Sequence, residues 1–149
     1  MLKQQIEDDL KTAMLSGNSE VADALKMIKA AILNKEVELG VREIGLEDSQ
    51  VIDVLTKEAK KRLEASVMYE DAGRAEQASS EKSEYELIQK YLPEQLSDED
   101  LTALVQSTIS QMGDVTIQDM GKVIGAVKSQ AGATAEGGKI AAMVKKQLS

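Results

Sequence analysis

Apolar residues recur every three or four positions along most of this chain, which is the spacing of an amphipathic helix. In the first segment Leu2, Ile6 and Leu10 lie four residues apart, and Gly17 follows as a stop signal. Because the connections between such segments are short, we predict an antiparallel up-and-down bundle over residues 1–92. A projecting hairpin of the second and third helices is the alternative. The predicted helices cover about residues 2–16, 20–39, 48–72 and 76–92.

The apolar stripes also predict which side of each helix is buried. On the third helix the predicted seam ends with Leu63 and Val67, which leaves the basic run Lys57–Arg62 on the outer face. Such a run could contact phosphates, but it is more often a solvated helix face, and we favour the solvated face. The positions predicted to be buried on the first three helices are Leu2, Ile6, Leu10, Ala13, Met14, Leu25, Ile28, Ile32, Leu39, Ile52, Leu55, Ala59, Leu63 and Val67.

Pro93 is the only proline of the chain. Since the residue before a proline is disfavoured in helical conformation, the fourth helix is predicted to end just before it. Ser97 and the acidic residues that follow it form a strong start signal for the next helix. Three short helices are predicted over residues 93–149, and they are expected to approach one another closely at Gly121 and Gly125. The predicted fold class is all-α: an N-terminal antiparallel helical bundle followed by a small three-helix C-terminal domain.

The amino-acid composition excludes several kinds of catalytic and metal site. The chain is 42% hydrophobic and 30% charged, which is typical of a folded protein, but it has no Phe and no Trp and only three Tyr. It also has no Cys and no His, which excludes thiol nucleophiles, Cys/His zinc sites and imidazole acid–base catalysis. We therefore predict no catalytic residues, no cofactor and no metal site. No signal segment opens the chain and no apolar run has the length of a membrane span, so we expect a cytoplasmic protein with no membrane partner.

Charge is unevenly placed along the chain. The formal net charge is −8. From Gly121 onward there are five lysines and a single carboxylate, Glu136, so this part carries +4 and the preceding 120 residues carry −12. This asymmetry predicts that the C-terminal end meets an anionic partner.

The stretch from Gly132 to Lys139 has the glycines and the lysine of a phosphate-binding loop but not its context. A nucleotide loop follows a buried strand and places Ser or Thr after its lysine, whereas Ile140 follows here. We therefore predict a loop and a helix start, whose free N–H groups could receive backbone phosphates. The lysines could equally be solvated helix charges, and both interpretations stay open. The candidate RNA-binding residues are Lys122, Lys128, Gly137, Gly138, Lys139, Lys145 and Lys146.

A cluster of carboxylates follows Pro93. It could hold a divalent cation, but it lacks the alternating ligands and the central glycine of a calcium loop. The start of a helix accounts for it instead, because acidic side chains stabilise the first turn. The cluster comprises Glu94, Asp98, Glu99 and Asp100.

Two blocks resemble the YqeY family. Residues 91–101, YLPEQLSDEDL, are similar to the junction of that family, and residues 120–128, MGKVIGAVK, to its glycine-spaced segment. Asn34 and Lys35 also fall at a characteristic point. The resemblance implies a helical bundle followed by a GatB/YqeY-like three-helix domain, similar to the tail domain of the B subunit of the glutamine-dependent aspartyl/glutamyl-tRNA amidotransferase. In that enzyme the tail helps to hold tRNA, and amide transfer takes place in other domains.

The chain departs from the family pattern in the loop before its last helix. Thr134 stands where arginine is common, and Glu136 replaces an aspartate. In the glycine-spaced segment Ile124 stands where methionine is common. The missing arginine removes one phosphate contact that the resemblance would otherwise imply.

The predicted function is binding without catalysis, to tRNA or another structured RNA, through the C-terminal domain. Recognition by shape needs no base-stacking aromatic residues, which this chain lacks. One alternative is a protein-interaction adaptor whose acidic bundle engages a partner, such as a protein of the translation machinery. The family label suggests another, an accessory factor in glutamine-dependent tRNA amidation, a carbon–nitrogen ligation with glutamine as the amido-N donor.

Overall fold

The computed structural model describes residues 1–149, and every regular element in it is helical. The predicted all-α fold class is confirmed. Two short 3₁₀ turns, Ile117–Asp119 and Gly132–Thr134, precede and follow the sixth α-helix. The α-helices are α1 (Leu2–Leu15), α2 (Ser19–Leu39), α3 (Asp48–Asp71), α4 (Ala75–Gln89), α5 (Asp98–Met112), α6 (Met120–Ala131) and α7 (Gly137–Leu148).

The chain forms two compact units, Met1–Leu92 and Pro93–Ser149. The first contains α1 to α4 and the second contains α5 to α7. Each unit has its own cluster of buried apolar side chains.

In the first unit, α1 and α2 pack as an antiparallel pair. Lys29 Nζ lies 3.7 Å from Glu7 Oε1, and Lys3 Nζ lies 2.6 Å from Glu36 Oε1, so residue numbers rise on one helix as they fall on the other. Gly40 ends α2 with a φ of 68°, a left-handed conformation that glycine adopts at little cost. The buried core of this unit consists of Ile6, Leu10, Ala13, Ala22, Leu25, Ile28, Ile32, Leu46, Val51, Val54, Leu55, Ala59 and Ile88.

The apolar side predicted for α1 and α2 is correct except at the helix ends. Met14 is 58% exposed and Leu39 is 44% exposed, so neither belongs to the core. Ala13 of the predicted stripe is buried on α1, whereas the Glu36 side chain, which was not predicted, is buried on α2 and bonded to Lys3. The prediction failed at Met14, Leu39 and Glu36 because it ranked residues by hydrophobicity, whereas the neighbouring helix covers a different part of the last turn.

The predicted seam of α3 is wrong in its second half. The side chains that turn inward there are Arg62 and Ser66, whereas Leu63 is only partly buried and Val67 is 49% exposed. Beyond Ala59, α3 contributes nothing to the apolar core and packs mainly on α4. The alternative hairpin of the second and third helices is also wrong, because α3 packs far more extensively on α4 than on α2.

In the second unit, all three helices pack on one another. The predicted cap of α5 is present: the Ser97 hydroxyl accepts the Asp100 N–H at 3.1 Å. Thr116 caps the 3₁₀ turn that leads into α6, and Asp119 bonds back to the Thr116 N–H at 3.0 Å. The buried core of this unit consists of Leu101, Val105, Val123, Val127, Ala131, Ile140 and Val144.

Candidate nucleic-acid interface

The five predicted lysines are exposed on the two last helices of the chain. None of them lies within 4.0 Å of a carboxylate oxygen, since every ion pair of the structure is formed by residues of the first unit. Their ammonium groups are therefore free to meet a ligand. We call this set the α6–α7 lysines; it comprises Lys122, Lys128, Lys139, Lys145 and Lys146.

The second unit as a whole is not basic. It holds five lysines and seven carboxylates, so its net charge is −2. The two signs are segregated, however. Residues 93–119 carry six carboxylates and no basic side chain, whereas residues 120–149 carry all five lysines and only Glu136. Positive charge is thus confined to α6 and α7.

The first turn of α7 is the best-formed part of this surface. Gly137 and Gly138, predicted as the end of a loop, form this turn together with Lys139. The Ile140 N–H donates to the Glu136 carbonyl at 3.0 Å, but no protein group accepts the three N–H groups before it. The Glu136 side chain makes no capping hydrogen bond. Three backbone donors therefore face outward at the positive end of the helix dipole.

Lys128 of α6 reaches the same turn. A Cβ atom added to Gly137 would lie 3.2 Å from Lys128 Cε and 3.3 Å from its Nζ. The Lys128 ammonium therefore lies against the start of α7, and a side chain at Gly137 would displace it by a few tenths of an ångström. The structure brings Lys128, Lys139 and the glycine pair together, as a group of donors with no carboxylate bonded to any of them.

The remaining three lysines do not join this group of donors. Lys146 lines a groove between α5 and α7, together with Lys139, Asp98 and Glu99. Lys145 occupies the last turn of α7 and does not line that groove, and Lys122 lies in the first turn of α6. The seven predicted residues therefore share one segment of the chain but do not converge on one point.

The predicted role of the α6 glycines in helix packing is wrong. Gly121 and Gly125 are exposed, and a Cβ atom added to either would meet no atom within 4 Å. A glycine inside a helix costs about 0.5–1 kcal/mol relative to alanine, and no contact in this unit offsets that cost. The two glycines leave the backbone of α6 uncovered beside Lys122.

The loop that precedes α7 is held by the block after Pro93. The Leu96 N–H donates to the Thr134 carbonyl at 2.7 Å, and the Gln95 side-chain amide donates to the Ala133 carbonyl at 2.8 Å. The Thr134 hydroxyl donates to the Ala131 carbonyl at 2.5 Å. The residue that replaces the expected arginine is thus bonded to backbone and offers no charge to a ligand.

The residues of the 91–101 block that precede Pro93 belong to the first unit. Tyr91 donates its hydroxyl to Asp9 Oδ2 at 2.5 Å, and burial together with this bond raises the pKa of Tyr91. Leu92 packs against the buried core of the first unit, and Leu96 against that of the second. The residues that carry the family resemblance here therefore act in folding, since each half of the block is anchored in its own unit.

A buried ionic cluster in the first unit was not predicted. Arg62 is only 7% exposed; its guanidinium lies 2.6 Å from Glu58 Oε2 and 3.3 Å from Glu84 Oε2. Burial, followed by repulsion from Glu81, raises the pKa of Glu84, and Arg62 partly offsets the rise. The four-residue spacing of Glu58 and Arg62 was visible in the sequence, but it indicated an exposed helix pair.

The remaining candidate features are explained by folding. Asp98, Glu99 and Asp100 form the first turn of α5, and no three potential ligand side chains come together as a metal site. Of the Lys57–Arg62 run, Lys57 and Lys61 line a shallow groove between α2 and α3, while Arg62 is turned inward. No helix is both long enough and apolar enough to cross a membrane.

Comparison with curated proteins finds no match to this chain. A sequence model of the Yqey-like proteins matches residues 3–148, which is nearly the whole chain. The match extends over both compact units, and it includes the Tyr91–Leu101 block and the glycine-spaced segment of α6. The chain therefore belongs to the YqeY family.

Proposed function

We propose that this protein is a non-catalytic RNA-binding protein that contacts the phosphates of tRNA or another structured RNA through α6 and α7. One observation carries the proposal: all five lysines of the second unit are exposed and unpaired, although the same unit holds seven carboxylates. Exposed ion pairs contribute little to stability, so the fold loses little when these lysines stay unpaired. Cations kept free of them are available to phosphates.

The placement of two lysines supports this proposal. Lys122 and Lys139 both lie in the first turn of their helices, where the helix dipole disfavours a positive charge. A phosphate at the start of α7 would reverse that penalty, because it would accept the free N–H groups and meet Lys128 and Lys139 together. An anionic ligand would account for the placement of these two lysines, whereas Lys128, Lys145 and Lys146 lie in last turns, where the dipole favours a positive charge.

The exposed glycines of α6 support contact with an RNA backbone. Without side chains at Gly121 and Gly125, a ribose-phosphate chain can approach the helix to backbone distance. All three tyrosines lie in the first unit, so the second unit has no ring on which a base could stack. Recognition by the shape and phosphates of a folded RNA is the mode that suits such a surface.

A titration of labelled tRNA into the full chain at several salt concentrations tests this proposal. We expect the logarithm of the affinity to fall linearly with the logarithm of the salt concentration, as counterions are released. Replacing Lys128 and Lys139 by alanine should reduce the slope by about one for each lost phosphate contact. An unchanged slope in that variant, or no binding at low salt, contradicts the proposal.

The family resemblance motivates a more specific setting. We place the binding in the cytoplasm and suggest that the protein assists a glutamine-dependent amidation of tRNA-bound amino acids without catalysing it. Adding the chain to an amidotransferase should then raise the amidation rate, while the chain alone should produce none. If binding to a translation protein survives nuclease treatment and requires the acidic bundle, the adaptor alternative is favoured instead.

A further inference from the structure

A groove between α5 and α7 is lined by matching faces of the two helices. On α5, Glu99, Thr102 and Gln106 are spaced by three and four residues, and on α7, Lys139, Met143 and Lys146 are spaced by four and three. Residues with this spacing occupy one face of a helix over two turns, about 10 Å in length. Each of the two helices therefore lines the groove over about two helical turns.

Polar contacts join the two helices that line the groove, and small side chains leave it open. The Thr102 hydroxyl lies 3.5 Å from Met143 Sδ, and the Gln147 amide donates to the Thr102 carbonyl at 3.4 Å. Ala103 and Ala142 also line the groove and are exposed, so no long side chain closes it there. No residue of α6 lines the groove. The space beside α5 and α7 is open to a fourth helix.

The charges at the rim have opposite signs on the two walls. Asp98 and Glu99 lie at the start of α5, whereas Lys139 and Lys146 lie seven residues apart on α7. No ion pair forms across the groove. A nucleic acid would bring phosphates towards the two carboxylates, which disfavours it. A helix with acidic residues on one edge and basic residues on the other complements both walls.

We propose that the α5–α7 groove is the docking site for an amphipathic helix of a partner protein. The helix presents small and aliphatic residues to Thr102 and Met143, acidic residues seven positions apart to Lys139 and Lys146, and a basic residue to the start of α5. It completes a four-helix arrangement with the second unit. This inference does not depend on RNA binding; Lys139 and Lys146 belong to both surfaces, but Lys128 belongs only to the first and Ala142 only to the second.

The probe is a synthetic helical peptide about three heptads long, with a leucine–alanine seam, glutamates seven positions apart on one edge and lysines on the other. It is titrated into the full chain labelled with ¹⁵N, and amide shifts are followed by NMR. We expect shifts centred on residues 102–106 and 142–146. A second peptide, with lysines on both edges, presents the wrong charge to Lys139 and Lys146 in either direction, and should bind at least about tenfold more weakly.

Two variants complete the test. Ala142→Trp fills the groove and should abolish the peptide shifts, while Ser129→Trp, at an exposed position of α6 outside the groove, should leave them unchanged. Lys139→Glu combined with Lys146→Glu should reverse the preference between the two peptides. The proposal is overturned if Ala142→Trp binds the peptide with full affinity, or if both peptides bind equally well. It is also overturned if the natural chain binds neither peptide while Ala142→Trp loses tRNA binding. Loss of tRNA binding on replacing Lys128, with peptide binding intact, is the pattern expected if both proposals hold.

Discussion

The two units of this protein use charged residues in opposite ways. Residues 1–92 contain all the ion pairs of the structure, and two of their charged side chains, Glu36 and Arg62, are buried. Residues 93–149 contain twelve charged side chains, five basic and seven acidic, none of them buried and none of them paired. In the first unit charges specify how the helices pack, whereas in the second they remain at the surface.

This difference follows from what fills each interior. The second unit closes around seven aliphatic residues contributed by all three helices, and its one buried polar side chain is the uncharged Thr108. The α3–α4 pair extends past the apolar core of the first unit, and beyond Ala59 its inward positions are occupied by Arg62 and Ser66. There the ionic cluster of Arg62, Glu58 and Glu84 occupies the place of an apolar core. Burying these charges costs desolvation energy, which their mutual attraction offsets only while all three side chains are present.

The largest expected effect comes from breaking that cluster. Arg62→Met leaves Glu58 and Glu84 partly buried without a cation, and we expect the free energy of unfolding to fall by about 3 kcal/mol. Urea denaturation of the full chain, followed by circular dichroism, measures the loss. The matched control is Lys61→Met, because Lys61 is exposed and pairs with the same Glu58; it should cost less than about 0.5 kcal/mol. Equal losses in the two variants would show that Arg62 is no more structural than its neighbour.

A smaller effect of opposite sign is expected in α6. Gly125→Ala adds a methyl group that meets no atom, so it should raise the stability by about 0.5–1 kcal/mol. If the uncovered backbone serves RNA binding, the same variant should bind tRNA more weakly although it is more stable. The denaturation midpoint and the tRNA affinity are measured on the same preparation. Ser129→Ala, on the same helix, is the control for the affinity.

The pH dependence of stability gives the smallest effect. The pKa of Glu84 is raised above its ordinary value of 4.5 by burial, so the folded state binds this proton more tightly than the unfolded state. Its contribution to stability is complete below pH 4.5 and is lost as the pH rises through the raised pKa. The stability of Glu84→Gln relative to the natural chain should therefore increase with pH above 4.5. Glu86→Gln, an exposed change on the same helix, should show no such trend.

Most of the fold was predictable because local signals agree along the chain. Glycines at the helix ends and the Ser97 cap each mark a boundary that local backbone geometry imposes. Pro93 marks one less closely, because α4 ends at Gln89 and not at the predicted Leu92. The inward face of α3 was not predictable in the same way. Periodicity indicates an apolar seam only where an apolar partner exists, and beyond Ala59 the partner surface on α4 includes Glu84 instead.

The candidate site was predictable as a segment but not as a geometry. The run of lysines after Gly121 is visible as charge asymmetry. Which of them meet depends on how α6 and α7 cross, so the approach of Lys128 to Gly137 could not be read from spacing. Lys139 and Lys146 line a groove together with residues of α5, and this placement likewise depends on packing between helices distant in sequence.

Two charge-matched variants test whether the α6–α7 lysines bind RNA, as we propose. One variant replaces all five by glutamine. The other replaces five exposed lysines of the first unit, so that both carry the same net charge; these are Lys11, Lys26, Lys60, Lys82 and Lys90.

Labelled tRNA is titrated into each variant over a range of salt concentrations. We predict that the first variant loses most of its affinity, that its salt slope falls by about 0.7–0.9 for each lost phosphate contact, and that its stability changes by less than about 1 kcal/mol. The second variant should keep the slope of the natural chain. Equal losses of tRNA affinity in both variants would mean that only the total charge matters. This result would contradict binding of RNA by the α6–α7 lysines.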